Sequence, residues 1–167
     1  MGRILYRTGN MLEAEERVLL HGCNAQGTMG AGIATAIRAK WPEAYEAYRQ
    51  QHAETGLALG TMVTAHCGDR VILNAITQER YGRDPDAVYV SYDAMRAVMR
   101  QPDLTAWIAG LTAQAGQILG DGSRVAMPLV GAGLARGRWS VIAAIMEQEA
   151  RYFQPVVYLL DGVVPPD

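Results

Sequence analysis

Twice in this chain an apolar, β-type run ends in a cluster of glycines and then turns into a helical or turn-rich stretch. This order constrains the fold more than any other feature. The first instance carries Arg17-Val18-Leu19-Leu20-His21 into Gly22-Cys23-Asn24-Ala25-Gln26-Gly27-Thr28-Met29-Gly30-Ala31-Gly32. The second carries Arg124-Val125-Ala126-Met127-Pro128-Leu129-Val130 into Gly131-Ala132-Gly133. In an open α/β sheet, ligands bind where loops leave the carboxyl ends of strands. A glycine run that opens a helix adds free amides and the positive end of the helix dipole. The pattern therefore predicts an anion site built from backbone, with phosphate as the natural ligand. Glycine makes up 18 of the 167 residues, about 11% against a usual ~7%, and the excess gathers in these runs rather than in a linker.

Charge points the same way. With 15 Lys+Arg against 17 Asp+Glu the net charge is -2, so no basic footprint for duplex nucleic acid exists and phosphate recognition falls to backbone amides. Cys23 and Cys67 are too few and too far apart for a disulfide framework or a Cys-x-x-Cys metal knuckle, which predicts reduced thiols, no metal and a cytoplasmic setting. The start Met1-Gly2-Arg3-Ile4-Leu5-Tyr6 lacks an apolar leader, and no run of 18 apolar residues suggests a membrane span. The chain reads as one domain over 1–167, without repeats or low-complexity tracts, and a monomer is expected.

Elements alternate along the chain. Strands are predicted at Arg3–Tyr6, Arg17–His21, Gly60–Ala65, Arg70–Ile76, Arg124–Val130 and Val156–Leu160. A helix opens at Gly30, with Ile33, Ile37 and Trp41 on one face, and Pro42 restarts a second helix through Tyr48 to about His52. Ser91 is placed to cap a helix over Tyr92–Met99, and further helices are predicted at Thr105–Leu119 and Ser140–Tyr152. Gln78 to Val90 is a polar loop with Gly82 and Pro85. Strands alternating with helices imply an α/β sandwich on a largely parallel sheet.

Neither glycine run is a standard nucleotide fingerprint: there is no Gly-x-x-x-x-Gly-Lys-Ser/Thr and no Gly-x-Gly-x-x-Gly. Instead, His21 to Ala34 (HGCNAQGTMGAGIA) together with Pro128 to Leu134 resembles the macrodomains that bind ADP-ribose. The likeness runs in order through Tyr6-x-x-Gly9-Asn10, the Met29-Gly30-x-Gly32-Ile33-Ala34 helix start with Trp41-Pro42, the Met127-Pro128 strand, Trp139 and the closing Val-Tyr-Leu run. It lies in the branch with terminal and DNA ADP-ribose glycohydrolases and ADP-ribose 1''-phosphate phosphatases. The resemblance implies a single-domain three-layer α/β/α sandwich with a mixed, largely parallel central sheet and no cofactor.

It also implies roles. Gly9, Asn10 and Met11 meet the adenine, Asn10 standing where relatives usually have Asp. Met29, Gly30, Ala31, Gly32 and Ile33 wrap one side of the diphosphate, with Ala31 tolerated if its φ stays negative. Gly131, Ala132, Gly133 and Leu134 wrap the other side, and Pro128, Val130 and Ala135 are further ligand-binding positions. Asn24 faces the distal ribose, with His21, Cys23 and Gln26 around it, and Thr77 and Gln78 close by. His21, Asn24 and Gln26 are the catalytic candidates. The residues themselves leave His21 open between a reactive imidazole beside phosphate and a strand-end histidine with a structural bond, and favour a buried Cys23.

Two departures bear on mechanism. The terminal ADP-ribose glycohydrolases of this branch work through a lysine and an aspartate, and here those positions hold Gln78 and Ala135; Lys40 is the only lysine. The pattern is nearer to the ADP-ribose 1''-phosphate phosphatases. The expected function is binding of ADP-ribose or ADP-ribose 1''-phosphate with hydrolysis of the latter. Removal of ADP-ribose from protein or nucleic acid, and recognition without turnover, are the alternatives. In the Gln78–Val90 loop, Arg80, Tyr81, Arg83 and Tyr89 are placed to close over the distal ribose.

Overall fold

A computed structural model describes residues 3–100, 124–151, 153–160, 162–163 and 165. Six strands form one sheet: β1 (Leu5–Thr8), β2 (Val18–Asn24), β3 (Met62–Cys67), β4 (Arg70–Gln78), β5 (Arg124–Met127) and β6 (Gln154–Leu159), in the order β1-β6-β5-β2-β4-β3. Every neighbouring pair is parallel except β3 with β4, a hairpin that puts an antiparallel strand at one edge. Such a sheet needs helices on both faces, and the described helices supply them: α1 (Gly32–Lys40), α2 (Pro42–Thr55), α3 (Tyr92–Met99) and α4 (Trp139–Glu149).

The period-two alternation of β2 shows how the layers are assigned. Val18 and Leu20 join Met95, Val98, Ile142 and Met146 of α3 and α4 on one face. Leu19 joins Ile37, Trp41 and Ala44 of α1 and α2 on the other, and Cys23 on that same side packs with Met29, Tyr48 and Ile76. Leu20, Ile37, Ile72, Val98 and Val125 are wholly buried, each worth about 1.5–3 kcal/mol over the exposed state. The chain thus adopts the expected three-layer α/β/α sandwich on a mixed, largely parallel sheet.

Local signals also hold. Pro42 occupies the first turn of α2, where its missing N–H costs nothing, and Gly56 ends that helix with φ 78°. Ser91 Oγ accepts from Ala94 N at 3.1 Å, capping α3. A 3-10 turn over Met11–Glu13, capped by Asn10, was not foreseen. The predicted Thr105–Leu119 helix, the Gly120-Asp121-Gly122 turn and Tyr152 lie outside the described residues.

The boundaries that matter for function differ from expectation. β2 does not stop at His21 but runs on through Gly22 and Cys23 to Asn24, paired in register with β4 from Val18↔Val71 to Cys23↔Ile76. Gly22 makes this possible: a Cβ there would stand 2.8 Å from Thr77 Oγ1 and 3.1 Å from Val130 Cγ2. β5 is shorter than predicted, ending at Met127, and α1 begins at Gly32 rather than Gly30.

Candidate functional site

The two glycine loops leave the carboxyl ends of adjacent strands, β2 and β5, and meet above the sheet. Gly32, with φ 61°, opens α1, and a Cβ on it would stand 3.3 Å from Leu134 Cδ1 in the second loop. Leu134 is 57% exposed, so it lies across the mouth between the loops rather than in the core. No side chain caps α1, and Ala31 at its N-cap is extended at φ -151°, the negative φ that a Cβ requires. The first-turn amides of α1 therefore face the gap without a side-chain acceptor, an arrangement suited to an anion.

Asn24, at the last position of β2, organises the first loop. Its Oδ1 accepts from Gln26 N at 2.9 Å and Thr28 N at 3.4 Å, and its Nδ2 donates to Thr28 O at 2.8 Å. Gln26 is exposed, and its Nε2 donates to Glu79 O at 3.1 Å, tying this loop to the Gln78–Val90 segment.

The second loop folds on its own backbone. Ala132 N donates to Leu129 O, Arg136 N to Gly133 O and Gly137 N to Gly131 O. Gly131 takes φ 78°, and Arg136 is the one non-glycine described residue with positive φ, at 60°. The Ala135 carbonyl accepts from both Tyr89 N (2.8 Å) and Val90 N (3.1 Å), so the Gln78–Val90 segment is fastened to this loop as well. A cavity of about 450 Å³ lies along that segment, lined by Glu79, Arg80, Tyr81, Asp84 and Tyr89 among others. Arg136 reaches Pro85 O at 3.3 Å, and Trp139 Nε1 donates to Tyr6 OH at 3.0 Å with the rings edge to face.

His21 requires a correction. It is wholly buried under α2, away from the loop mouth. Asn74 Nδ2 donates to Ala44 O at 3.1 Å, so Asn74 Oδ1 accepts from His21 Nε2 at 2.6 Å. That fixes the Nε2–H tautomer and leaves Nδ1 as the acceptor, 3.8 Å from Cys23 Sγ. Burial lowers the imidazole pKa to about 4 against a weaker opposing effect of the Asn74 bond, and burial pushes the Cys23 thiol well up. A neutral imidazole and a protonated thiol in a dry layer make neither a nucleophile nor a proton shuttle for a ligand outside it. In this structure His21 makes a structural bond, and its partner is a side chain 53 residues away rather than nearby backbone.

Other predicted site residues divide in two. Met11, Cys23, Met29, Thr77, Val130 and Ala135 are buried. Gly9, Asn10, Gln26, Gly30, Ala31, Gly32, Ile33, Gln78, Pro128, Gly131, Ala132, Gly133 and Leu134 keep some exposure. Asn10 Oδ1 accepts from Leu12 N at 3.0 Å. Gln78 donates to Arg80 O at 2.8 Å. Sequence reasoning missed Tyr48, whose hydroxyl reaches Asn24 at the start of the first loop, and Asn74, whose amide joins His21 to α2; Asn74 inside an otherwise apolar strand was the available signal.

No family model matches the chain. Among curated proteins it is 43% identical over 49 residues to the ADP-ribose 1''-phosphate phosphatase of Aspergillus clavatus, covering 29% of this chain and 25% of that one. It is 26% identical over 147 residues to the phosphatase of the same name from Scheffersomyces stipitis, covering 78% and 82%. A DNA ADP-ribosyl glycohydrolase of Mycobacterium bovis is 26% identical over 91 residues, 52% of this chain and 26% of that protein. The matches thus span about a quarter of the length of the Aspergillus and Mycobacterium proteins. Among solved structures, a protein of unknown function from Bacteroides thetaiotaomicron superposes with TM-score 0.75 at 26% identity, covering 93% of this chain and 97% of that one. The macrodomain of Mycobacterium tuberculosis DarG superposes with TM-score 0.72 at 24% identity over the whole of both chains. The chain has the fold of this macrodomain.

Proposed function

We propose that the chain binds ADP-ribose carrying a further group on its distal ribose, in the gap between residues 25–33 and 130–135, and hydrolyses the bond to that group. The observation that carries this reading is the meeting of two glycine loops, Gly32 against Leu134, above the uncapped first turn of α1. Amides of Gly30 to Ile33 on one side and of Gly131, Gly133 and Leu134 on the other hold the diphosphate, which suits a chain of net charge -2.

The favoured substrate is ADP-ribose 1''-phosphate, as for the Scheffersomyces relative with which the chain shares most of its length. Water attacks phosphorus, the P–O bond to the ribose breaks, the ribose oxygen takes up a proton and inorganic phosphate leaves. His21 is too deeply buried to be the nucleophile, so water held by the ligand's own oxygens and the loop amides fills that role. Gln26, exposed at the reacting end, orients the terminal phosphate, and Asn24 shapes the loop that holds it. A second reading, hydrolysis of ADP-ribose from a nucleic-acid or protein acceptor, is favoured by the likeness to the mycobacterial glycohydrolase. Gln78 and Ala135 weaken it, since neither supplies an ammonium or a carboxylate.

Phosphorus NMR of ADP-ribose 1''-phosphate with the protein added tests both binding and turnover. Growth of inorganic phosphate above a heat-killed control is the expected result. Shifted but persistent diphosphate signals remove the phosphatase reading and leave a reader or an acceptor hydrolase, which ADP-ribosylated DNA and protein then separate. Unshifted signals overturn the site itself.

A further inference from the structure

We propose that Tyr48, on α2, is the positioning residue for the first glycine loop. Its side chain is wholly buried beneath that loop. Its hydroxyl lies 2.6 Å from the main-chain oxygen of Asn24 and 2.9 Å from Asn24 Oδ1. Asn24 stands where the β2–β4 register slips and the strand gives way to the loop. The same Oδ1 receives Gln26 N and Thr28 N, so one phenol proton on the α2 side and two loop amides on the other converge on one asparagine. The ring packs among Cys23, Met29 and Ile76, a site that a phenylalanine would fill equally well. What the tyrosine adds is the hydroxyl, and Asn24 is what the hydroxyl reaches.

One turn further along the same face of α2, His52 supports the loop from below: a Cβ on Gly27, whose φ is 79°, would stand 2.7 Å from His52 Nδ1. The pair at i and i+4 makes α2 a platform for residues 24–28. A loop already folded in its binding form spares the ligand the cost of ordering it. Tyr48 would thus set affinity at the distal end of the ligand without touching it. The ligand half of this inference rests on the ADP-ribose reading; the loop half stands on the geometry alone.

The test is Tyr48→Phe, read by amide hydrogen exchange of Gln26 and Thr28 and by calorimetric titration with ADP-ribose. Met95→Ala, in the core on the opposite face of the sheet, serves as a control that lowers global stability without reaching the loop. Tyr48→Phe is expected to speed loop exchange about tenfold and weaken ADP-ribose about tenfold, while Met95→Ala does neither. Unchanged loop exchange in Tyr48→Phe, or an equal change in Met95→Ala, overturns the inference. If Tyr48→Phe fails to fold, the hydroxyl proton is followed in the unaltered protein by the isotope-split Cζ signal of labelled tyrosine. A slowly exchanging Tyr48 proton in contact with Asn24 supports the inference, and a rapidly averaged one overturns it. Unaltered protein that ignores ADP-ribose sinks the functional reading, and loop exchange still decides the positioning role. Normal ADP-ribose binding that Tyr48→Phe leaves intact sinks this inference alone.

Discussion

In the first glycine loop the conformation is set by side chains: Asn24 gathers Gln26, Thr28 and Tyr48, and Gln26 reaches across to Glu79. In the second it is set by backbone, with Gly137 N on Gly131 O and the Ala135 carbonyl holding Tyr89 and Val90. The first loop therefore depends on polar chemistry stored in the layer beneath it, where the Tyr48 hydroxyl of α2 reaches Asn24. The second depends on space at Gly131 and Gly137, where a Cβ has nowhere to go. Two walls of one gap can be built on different physics, and they should fail under different insults.

The largest effect is expected from filling the space in the second loop. A Cβ on Gly137 would stand 2.5 Å from Gly131 O and 2.5 Å from Val90 Cγ1, and the first of these is backbone that cannot rotate away. Gly137→Ala is expected to cost about 3 kcal/mol of stability, seen as a lower denaturant midpoint, because overpacking of this kind forces the backbone to move. A midpoint within error of the unaltered protein would mean that the second loop is plastic and that the contrast between the loops is false.

Acid should strike the first loop's foundation instead. The folded His21 pKa is about 4 against an unfolded 6.5, so the unfolded chain binds the extra proton first. Stability from the neutral imidazole is full above pH 6.5 and declines as pH falls from there toward 4. The loss amounts to about 2 kcal/mol by pH 5. Denaturant titrations at pH 7 and pH 5 measure it, and His21→Gln should flatten the dependence. If the slope between these pH values is the same in His21→Gln, the protonation of His21 is not its source. No titrating group of comparable burial stands beneath the second loop among the described residues, so amide exchange around His21 and Asn74 should rise with acid before exchange at Gly137 does.

This contrast explains what could be read from the chain alone. The alternation of strands and helices, the β3–β4 hairpin, the Pro42 and Ser91 helix starts and both glycine loops were legible because each is encoded within a few neighbouring residues. The partner of His21 was not: His21 reads as a strand end open to either role until β4 lies alongside and Asn74 presents its amide from 53 residues away. The second loop was legible because its glycines follow directly on an apolar strand run. The side-chain scaffold of the first was not, since Tyr48 looks like any apolar position on a helix until its hydroxyl is seen to end at Asn24.

The smallest effect on stability is also the sharpest probe of function. Gly133 has no atom within 4 Å of where a Cβ would stand, and its φ is not in the left-handed range. Nothing in the fold, therefore, requires glycine at that position, unlike Gly131 and Gly137 beside it. Gly133→Ala should shift stability by less than about 0.5 kcal/mol. If a diphosphate is held against this loop by backbone amides, the added methyl lies in the path of the ligand, and ADP-ribose affinity should fall with thermal stability unchanged. Calorimetric titration of Gly133→Ala beside the unaltered protein measures the difference. Equal affinity would place the ligand away from Gly133 and break the symmetry between the loops, leaving the first, side-chain-built wall to hold the phosphates alone.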